Sequence, residues 1–176
     1  EVEFATLPKT GEIFTDAPIG LGTNFYFPFE GSKATAWTVD ENEGYKSNAS
    51  MRFDVPNADN LDGNFAGAIF RIDGAGRDLT EFDALTFYVK ASTGTLLGDV
   101  GFGIDYLGDK NRISIQNVNV GTSWTKVIIP IPDPSILLNE RGVFWFAAGT
   151  QATNGSGYAL WFDDIRFEKL GNVGKP

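Results

Sequence analysis

The sequence contains no cysteine and no histidine. Without cysteine the chain has no disulfide and no thiol catalysis. Without histidine it lacks the usual general base, the imidazole of catalytic triads and imidazole metal ligands. Any bound metal must therefore be held by oxygen atoms, which favours calcium or magnesium.

Basic residues are few: the chain has 14 Lys and Arg but 23 Asp and Glu, which gives a formal net charge of −9. A nucleic-acid partner needs a basic footprint, so none is expected. The same charge disfavours an acidic polymer as ligand. No apolar run of 18 residues is present, so we expect no insertion into a membrane.

The residues that are abundant favour strands and turns. The 176 residues suffice for one domain, 42% are hydrophobic, and Gly (21) and Phe (15) are frequent. About ten short segments alternate apolar and polar side chains, as in Ala84–Ala91, and none shows sustained 3.6-residue periodicity. We therefore predict an all-β antiparallel sandwich or barrel with under about 10% helix.

The chain divides into three parts. Residues 1–23 are a weakly patterned lead-in with candidate edge strands at Val2–Ala5 and Ile13–Thr15. Residues 24–170 form the β-sandwich module. The chain starts without Met and ends in a Gly- and Asn-containing stretch, so we expect a piece of a longer protein in which residues 171–176 lead to neighbouring domains.

Two carboxylates are candidate metal ligands. Strand alternation through Tyr158–Glu168 puts Asp163 on the same side as Ile165 and Phe167, which have the character of core residues. A buried carboxylate without a basic partner is costly unless it holds a cation. Glu30 directly follows an aromatic strand. The alternatives stay open: Asp163 hydrated at a frayed strand start, and Glu30 a solvated turn residue.

Three segments, Asp78–Ala91, Thr122–Pro132 and Leu160–Ile165, resemble in order and spacing the jelly-roll carbohydrate-binding modules of the family 4, 11 and 22 type. The resemblance covers roughly residues 24–170. It implies a β-jelly roll of two antiparallel sheets and a non-catalytic polysaccharide-binding function. It also implies a monomeric module, secreted or displayed on a bacterial cell surface.

The resemblance further implies a structural calcium. Its ligands would come from the carboxylate after the first core strand, from the loop before the next strand and from the last strand. In this sequence those positions are Glu30, Lys46, Asn48 and Asp163.

The predicted ligand is a neutral polysaccharide, a β-glucan or similar hemicellulose, on the outer face of one sheet. Leu85, Phe87 and Val89 fill the core, so Tyr88 points outward and is the central aromatic candidate. Polar outward residues of its own and neighbouring strands would flank it, and nearby loops offer further aromatics. The remaining candidates are Arg71, Lys90, Asp105, Tyr106, Arg112, Gln116, Trp145 and Trp37.

Three points qualify this prediction. Each polar candidate could equally belong to a plain solvated surface, and strand alternation directs Trp145 and Trp161 to the core. A jelly-roll glycosidase or lyase is disfavoured, because His and an alternating carboxylate pair on one strand are both lacking. A purely structural spacer domain remains the alternative to a glycan-binding module.

Overall fold

The computed structural model describes residues 6–171, so the candidate strand Val2–Ala5 lies outside the described residues. This part of the chain holds eleven strands and two helical turns of three residues each, Pro134–Ile136 and Gln151–Thr153. The strands are β1 Glu12–Phe14, β2 Tyr26–Pro28, β3 Trp37–Asp40, β4 Ser50–Val55, β5 Ala66–Arg71, β6 Ala84–Ala91, β7 Thr95–Asp105, β8 Gly108–Val120, β9 Thr125–Pro130, β10 Gly142–Ala148 and β11 Tyr158–Glu168. Neither helical turn, within residues 6–171, has the length needed to cross a membrane.

The strands form two antiparallel sheets. Sheet A has the order β3-β4-β11-β6-β9, with β1 pairing with β11 as well. Sheet B has the order β2-β5-β10-β7-β8. The predicted two-sheet, all-β architecture is confirmed. Consecutive strands β5, β6 and β7 lie in sheets B, A and B, so neighbours in sequence face opposite sides of the molecule.

Phenylalanine fills the space between the sheets. On β6, Leu85, Phe87 and Val89 are buried as their alternation predicts. Phe53 of sheet A meets Phe146 of sheet B with ring centroids 4.4 Å apart and planes at 64°. Such edge-to-face contacts recur across the core and favour one packing arrangement of the two sheets.

The lead-in is part of the sandwich. The predicted edge strand Ile13–Thr15 is found as β1, which pairs with β11. The buried guanidinium of Arg77 donates hydrogen bonds to the carbonyl oxygens of Thr10, Glu12 and Ile19. These bonds satisfy a buried charge and attach the segment before β2 to the rest of the domain.

Two β-bulges overturn the face assignments that simple alternation gave. In β11 the register shifts between Asp163 and Arg166, and Asp164 takes a left-handed conformation with φ 49°. Before the bulge Phe162 faces the core, so Trp161 and Asp163 point to the outer face of sheet A. After it, Ile165 and Phe167 face the core. The prediction that Asp163 shares a face with these two residues is wrong, because the bulge inserts one residue.

The second bulge lies between Gly142 and Phe144 in β10. It lets Val143 and Phe144 both join the core, whereas Trp145 packs with Ile69 and Ile104 in a separate small cluster. The prediction that Trp145 points to the core between the sheets is therefore wrong. Trp145 lies on the outer face of sheet B.

Candidate functional site

The outer face of sheet B gathers six of the predicted site residues. Strands β5, β10, β7 and β8 lie side by side there, and their outward positions form one continuous surface. The six residues are Arg71, Asp105, Tyr106, Arg112, Gln116 and Trp145. Phe27 and Phe29, which the sequence analysis did not select, pack against the small apolar cluster of this surface.

An aromatic platform, defined as Phe27 and Tyr106, lies at one end of this face. The two rings stack with centroids 4.6 Å apart and planes at 20°. Tyr106 is 64% exposed, which makes it the most exposed aromatic ring among the described residues. The guanidinium carbon of Arg71 lies 4.7 Å from the centroid of Phe27. The platform offers a flat apolar surface with polar groups at its rim.

An ion-pair network of Arg71, Asp105 and Arg141 lies beside the platform. Arg71 Nη1 lies 3.5 Å from Asp105 Oδ1, and Arg141 Nη1 lies 3.4 Å from Asp105 Oδ2. Arg71 also donates through Nε to the carbonyl oxygen of Asn24. The side chain of Arg71 is only 8% exposed. It therefore holds its neighbours in place and offers little surface to a ligand.

Trp145 forms the middle of the face but is covered. It is 3% exposed, and its indole N–H donates to the carbonyl oxygen of Phe102 at 3.2 Å. The guanidinium carbon of Arg112 lies 4.9 Å from its ring centroid. Beside it, a side chain at Gly101 would meet Ser114 Cα at 2.7 Å, so this glycine makes room for β8.

A groove of about 850 Å³ lies at the other end of the same face. It is bounded by the start of β7, the end of β8, the end of β10 and the loop that follows β10. Asp99 is its single ionisable residue, and Asp99 Oδ1 is buried without a hydrogen-bond partner in the described part of the chain. The amide side chains that line it are Asn64, Gln116, Asn117, Gln151 and Asn154.

Tyr88 and Lys90 lie on the opposite side of the molecule, on the outer face of sheet A. Tyr45 stacks on Tyr88 at 3.5 Å between centroids, with planes at 12°. Lys90 pairs with Glu43, and its ammonium lies over the rings of both Trp124 and Trp161. The prediction that Tyr88 shares a surface with Arg71, Asp105 and Gln116 is wrong, because β6 belongs to the other sheet.

Trp37 belongs to neither outer face. Its ring packs 4.9 Å from Tyr26 and 5.6 Å from Phe70, measured between centroids. It therefore closes the edge between the two sheets and is half-buried.

The loop from Glu41 to Ala49, called the strap here, crosses the outer face of sheet A and buries Asp163. Asp163 Oδ2 accepts hydrogen bonds from the backbone N–H of Tyr45 (2.8 Å) and from Ser47 Oγ (2.6 Å), and Oδ1 accepts one from the N–H of Asp164 (2.7 Å). Asp163 is 1% exposed. Burial raises the pKa of the Asp163 carboxyl, and the charge of Asp16 adds to the rise.

Asp16, not Glu30, is the second carboxylate at the strap. Asp16 Oδ1 accepts hydrogen bonds from the N–H groups of Asn48 (3.2 Å) and Ala49 (3.1 Å). Glu30 is exposed and follows β2, which belongs to sheet B, whereas Asp163 belongs to sheet A. Within residues 6–171 no group of three or more acidic side chains is arranged to hold a metal ion.

The two antiparallel sheets form a β-jelly roll, the fold of a class of carbohydrate-binding modules. The family model described as Carbohydrate binding domain 30 matches residues 12–169, and the chain belongs to that family. It is a non-catalytic binding module. The resemblance that the sequence showed to carbohydrate-binding modules is confirmed.

Solved structures of such modules share the fold. The family 30 module of the cellulosomal cellulase Cel9D-Cel44B of Clostridium thermocellum is 21% identical, with a TM-score of 0.61 over 92% of this chain and 98% of that chain. Another family 30 module is 20% identical, with a TM-score of 0.63 over 94% and 90%. The family 11 module of Lic26A-Cel5E of the same organism is 14% identical, with a TM-score of 0.56 over 92% and 96%. A search of curated proteins found no match.

Proposed function

We propose that this module binds a neutral polysaccharide, a β-glucan or similar hemicellulose, along the outer face of sheet B. The observation that carries the proposal is the amide-lined groove, in which the buried oxygen Asp99 Oδ1 has no partner in the described part of the chain. A buried acceptor without a hydrogen bond is costly. Asp99 as a whole is half-buried in the groove wall, so a rotation of its carboxylate would let a sugar hydroxyl donate to it and remove that cost.

The lining of the face suits an uncharged, hydroxyl-rich chain. The groove amides offer both donors and acceptors, and the negative charge of Asp99 disfavours an anionic sugar. The aromatic platform can stack on the apolar face of a sugar ring. Asp99 and Asp105 lie six residues apart on β7, or about 20 Å at the usual strand rise, so the face accommodates several sugar units.

The first test is a screen of polysaccharides by affinity gel electrophoresis and calorimetry. A mixed-linkage β-glucan or a xyloglucan should retard the protein, whereas polygalacturonate should not. Asp99→Ala should weaken binding about 10-fold, the usual cost of losing a well-placed acceptor. Asp54→Ala, which removes an exposed carboxylate from sheet A, is the matched control and should bind as wild type.

The screen has two adverse outcomes. Retardation by the anionic polymer alone would overturn the assignment of a neutral ligand. Binding to no polysaccharide at all would favour the spacer alternative.

We also propose a structural calcium at the strap, held by Asp163 and Asp16 with oxygens of Lys46 and Asn48. The charges at the strap support it: burial and the nearby charge of Asp16 raise the pKa of the Asp163 carboxyl, and neither carboxylate has an ion-pair partner among the described residues. A bound cation would stabilise both carboxylates and tie the strap to β11. Glu30, on the other sheet, is left out of this ligand set.

Chelation tests the calcium. Because a metal that binds only the native state stabilises it by mass action, excess EDTA should lower the melting temperature by several degrees, and added calcium should restore it. Asp163→Ala should melt at one temperature with or without EDTA. Equal melting of the wild type in EDTA and calcium, with no calcium found by elemental analysis, would exclude the site.

The proposed setting is outside the cell, in a longer protein. Two of the structural relatives are modules of cellulosomal cellulases. By analogy we propose that this module is monomeric, secreted or displayed on a bacterial cell surface, and joined to neighbouring domains that it brings to the polysaccharide.

A further inference from the structure

The middle of the outer face of sheet B holds a tryptophan that an arginine covers. Trp145 lies on β10, directly opposite Gly101 of β7. Asp99 of the groove precedes Gly101 by two residues, a distance of about 7 Å at the usual strand rise. The aromatic platform lies beyond Trp145 in the other direction, where β7 ends. A glycan that runs from the groove to the platform must therefore pass over Trp145.

The indole of Trp145 is held in one orientation. Its N–H donates to the carbonyl oxygen of Phe102 at 3.2 Å. Ile69 and Ile104 pack with it, and Phe29 meets it edge-on, with ring planes at 85°. Because the N–H is satisfied within the protein, the indole can offer a ligand the flat face of its ring. Tryptophan has the largest aromatic side chain, so this face is the broadest stacking surface on sheet B.

Arg112 reaches this ring from β8, the strand beyond β7. Its guanidinium carbon lies 4.9 Å from the indole centroid. The reach is possible because two glycines of β7 let β8 approach closely. A Cβ on Gly101 would meet Ser114 Cα at 2.7 Å. A Cβ on Gly103 would meet Arg112 Cα at 2.6 Å. The arginine side chain therefore crosses β7 and lies over Trp145.

Arg112 and a sugar ring would compete for the same place on the indole. Arg112 is itself exposed, whereas Trp145 beneath it is only 3% exposed. A guanidinium stacks on an aromatic face, and a sugar can stack its apolar ring face there as well. The cation–π contact of an exposed arginine is weak, so a stacking sugar ring can replace it.

We propose that Arg112 is a displaceable cover over Trp145: a bound β-glucan moves the guanidinium aside and stacks a sugar ring on the indole. The inference rests on the proposed glycan site and adds a central stacking position between the groove and the platform. In the free protein the arginine shields the indole from water. Each binding event then includes the cost of moving the arginine, so its removal should tighten binding.

The binding test replaces the cover with alanine. Arg112→Ala should bind a soluble β-glucan about 3-fold more tightly than the wild type, the equivalent of one exposed cation–π contact. Arg52→Ala is the matched control, because Arg52 lies over the ring of Trp161 in the same way, at 5.2 Å, but on sheet A. It should bind as wild type.

Two results of this test would overturn the cover. Unchanged affinity of Arg112→Ala would show that the glycan does not reach Trp145. Weaker binding would show that the arginine is itself a contact of the glycan.

A second measurement needs no glycan. NMR of protein with ¹³C-labelled tryptophan, in the presence of a soluble paramagnetic agent, reports how exposed each of the four indole rings is. The ring signals of Trp145 should broaden more in Arg112→Ala than in the wild type, whereas those of Trp161 should broaden equally in both. Equal broadening of Trp145 in the two proteins would show that the arginine does not cover it.

Adding β-glucan to the same wild-type sample separates the cover from the proposed function. We expect nuclear Overhauser effects between the ring protons of Trp145 and the sugar protons. If the glucan shifts the signals of Tyr106 but gives no such effect at Trp145, the cover fails and the proposed function stands. If the glucan binds neither the wild type nor Arg112→Ala, the proposed function fails and the cover fails with it.

Discussion

Replacing Tyr106 with alanine is expected to weaken binding of a neutral β-glucan about 10-fold or more, the effect of losing an anchoring aromatic. Its ring is 64% exposed and rests on Phe27, so the substitution removes contact surface and opens no core cavity. The melting temperature should therefore change little. Calorimetry with a soluble glucan, paired with a thermal melt of each variant, measures both quantities.

Tyr88→Ala is the matched control because Tyr88 occupies the opposite face of the sandwich. Its ring is already covered by Tyr45. Its removal should leave glucan affinity unchanged even if the strap becomes less stable. The opposite pattern, with Tyr88→Ala losing affinity and Tyr106→Ala keeping it, would move the site to sheet A.

The second large effect is expected from Asp163→Ala, which should lower the free energy of unfolding by about 3 kcal/mol. The substitution leaves three hydrogen-bond donors without their acceptor: the N–H groups of Tyr45 and Asp164 and the hydroxyl of Ser47. Each buried donor left unpaired costs about 1–3 kcal/mol. Burial raises the pKa of Asp163, so an ionised Asp163 costs the wild type some stability. Its removal offsets part of the cost of the unpaired donors.

Urea unfolding of wild type and variant, at one calcium concentration, gives the difference in their free energies of unfolding. Asp54→Ala serves as the control, because Asp54 is exposed and its pair with Arg52 lies at the surface. It should cost under about 1 kcal/mol. An Asp163→Ala variant as stable as Asp54→Ala would show that the strap is not held by this carboxylate.

The fold could be predicted from the sequence because most strands keep strict alternation. Ala84–Ala91 is found as a strand with the predicted bounds. In β6 the apolar positions all lie between the sheets, since nothing interrupts the period of two. Burial of Asp163 was also predicted. The prediction placed Asp163 on the core side of its strand, whereas the strap buries it on the outer face of sheet A.

The site was harder to predict, for two physical reasons. Bulges in β10 and β11 shift the face of every residue beyond them, and local sequence does not reveal where a bulge inserts its extra residue. Sheet membership is the second reason. Tyr88 and Arg71 both point outward, but β6 and β5 belong to different sheets, which only the long-range pairing decides.

The groove depends on residues that are distant in sequence. Asn64, Gln116 and Gln151 come together from three separate parts of the chain. Each amide by itself has the character of an ordinary loop or surface residue. Asp99 is the one groove residue that the sequence could have indicated, because alternation places it on the outward side of β7 together with Gly101.

The central claim is that the glycan lies on the outer face of sheet B, and NMR chemical-shift mapping with a soluble β-glucan oligosaccharide tests it most directly. The account predicts that the largest shifts fall on Asp99, Tyr106, Gln116 and the loop 150–155, with the strap and β6 unaffected. Shifts concentrated on Tyr45, Tyr88 and Trp124 instead would contradict it.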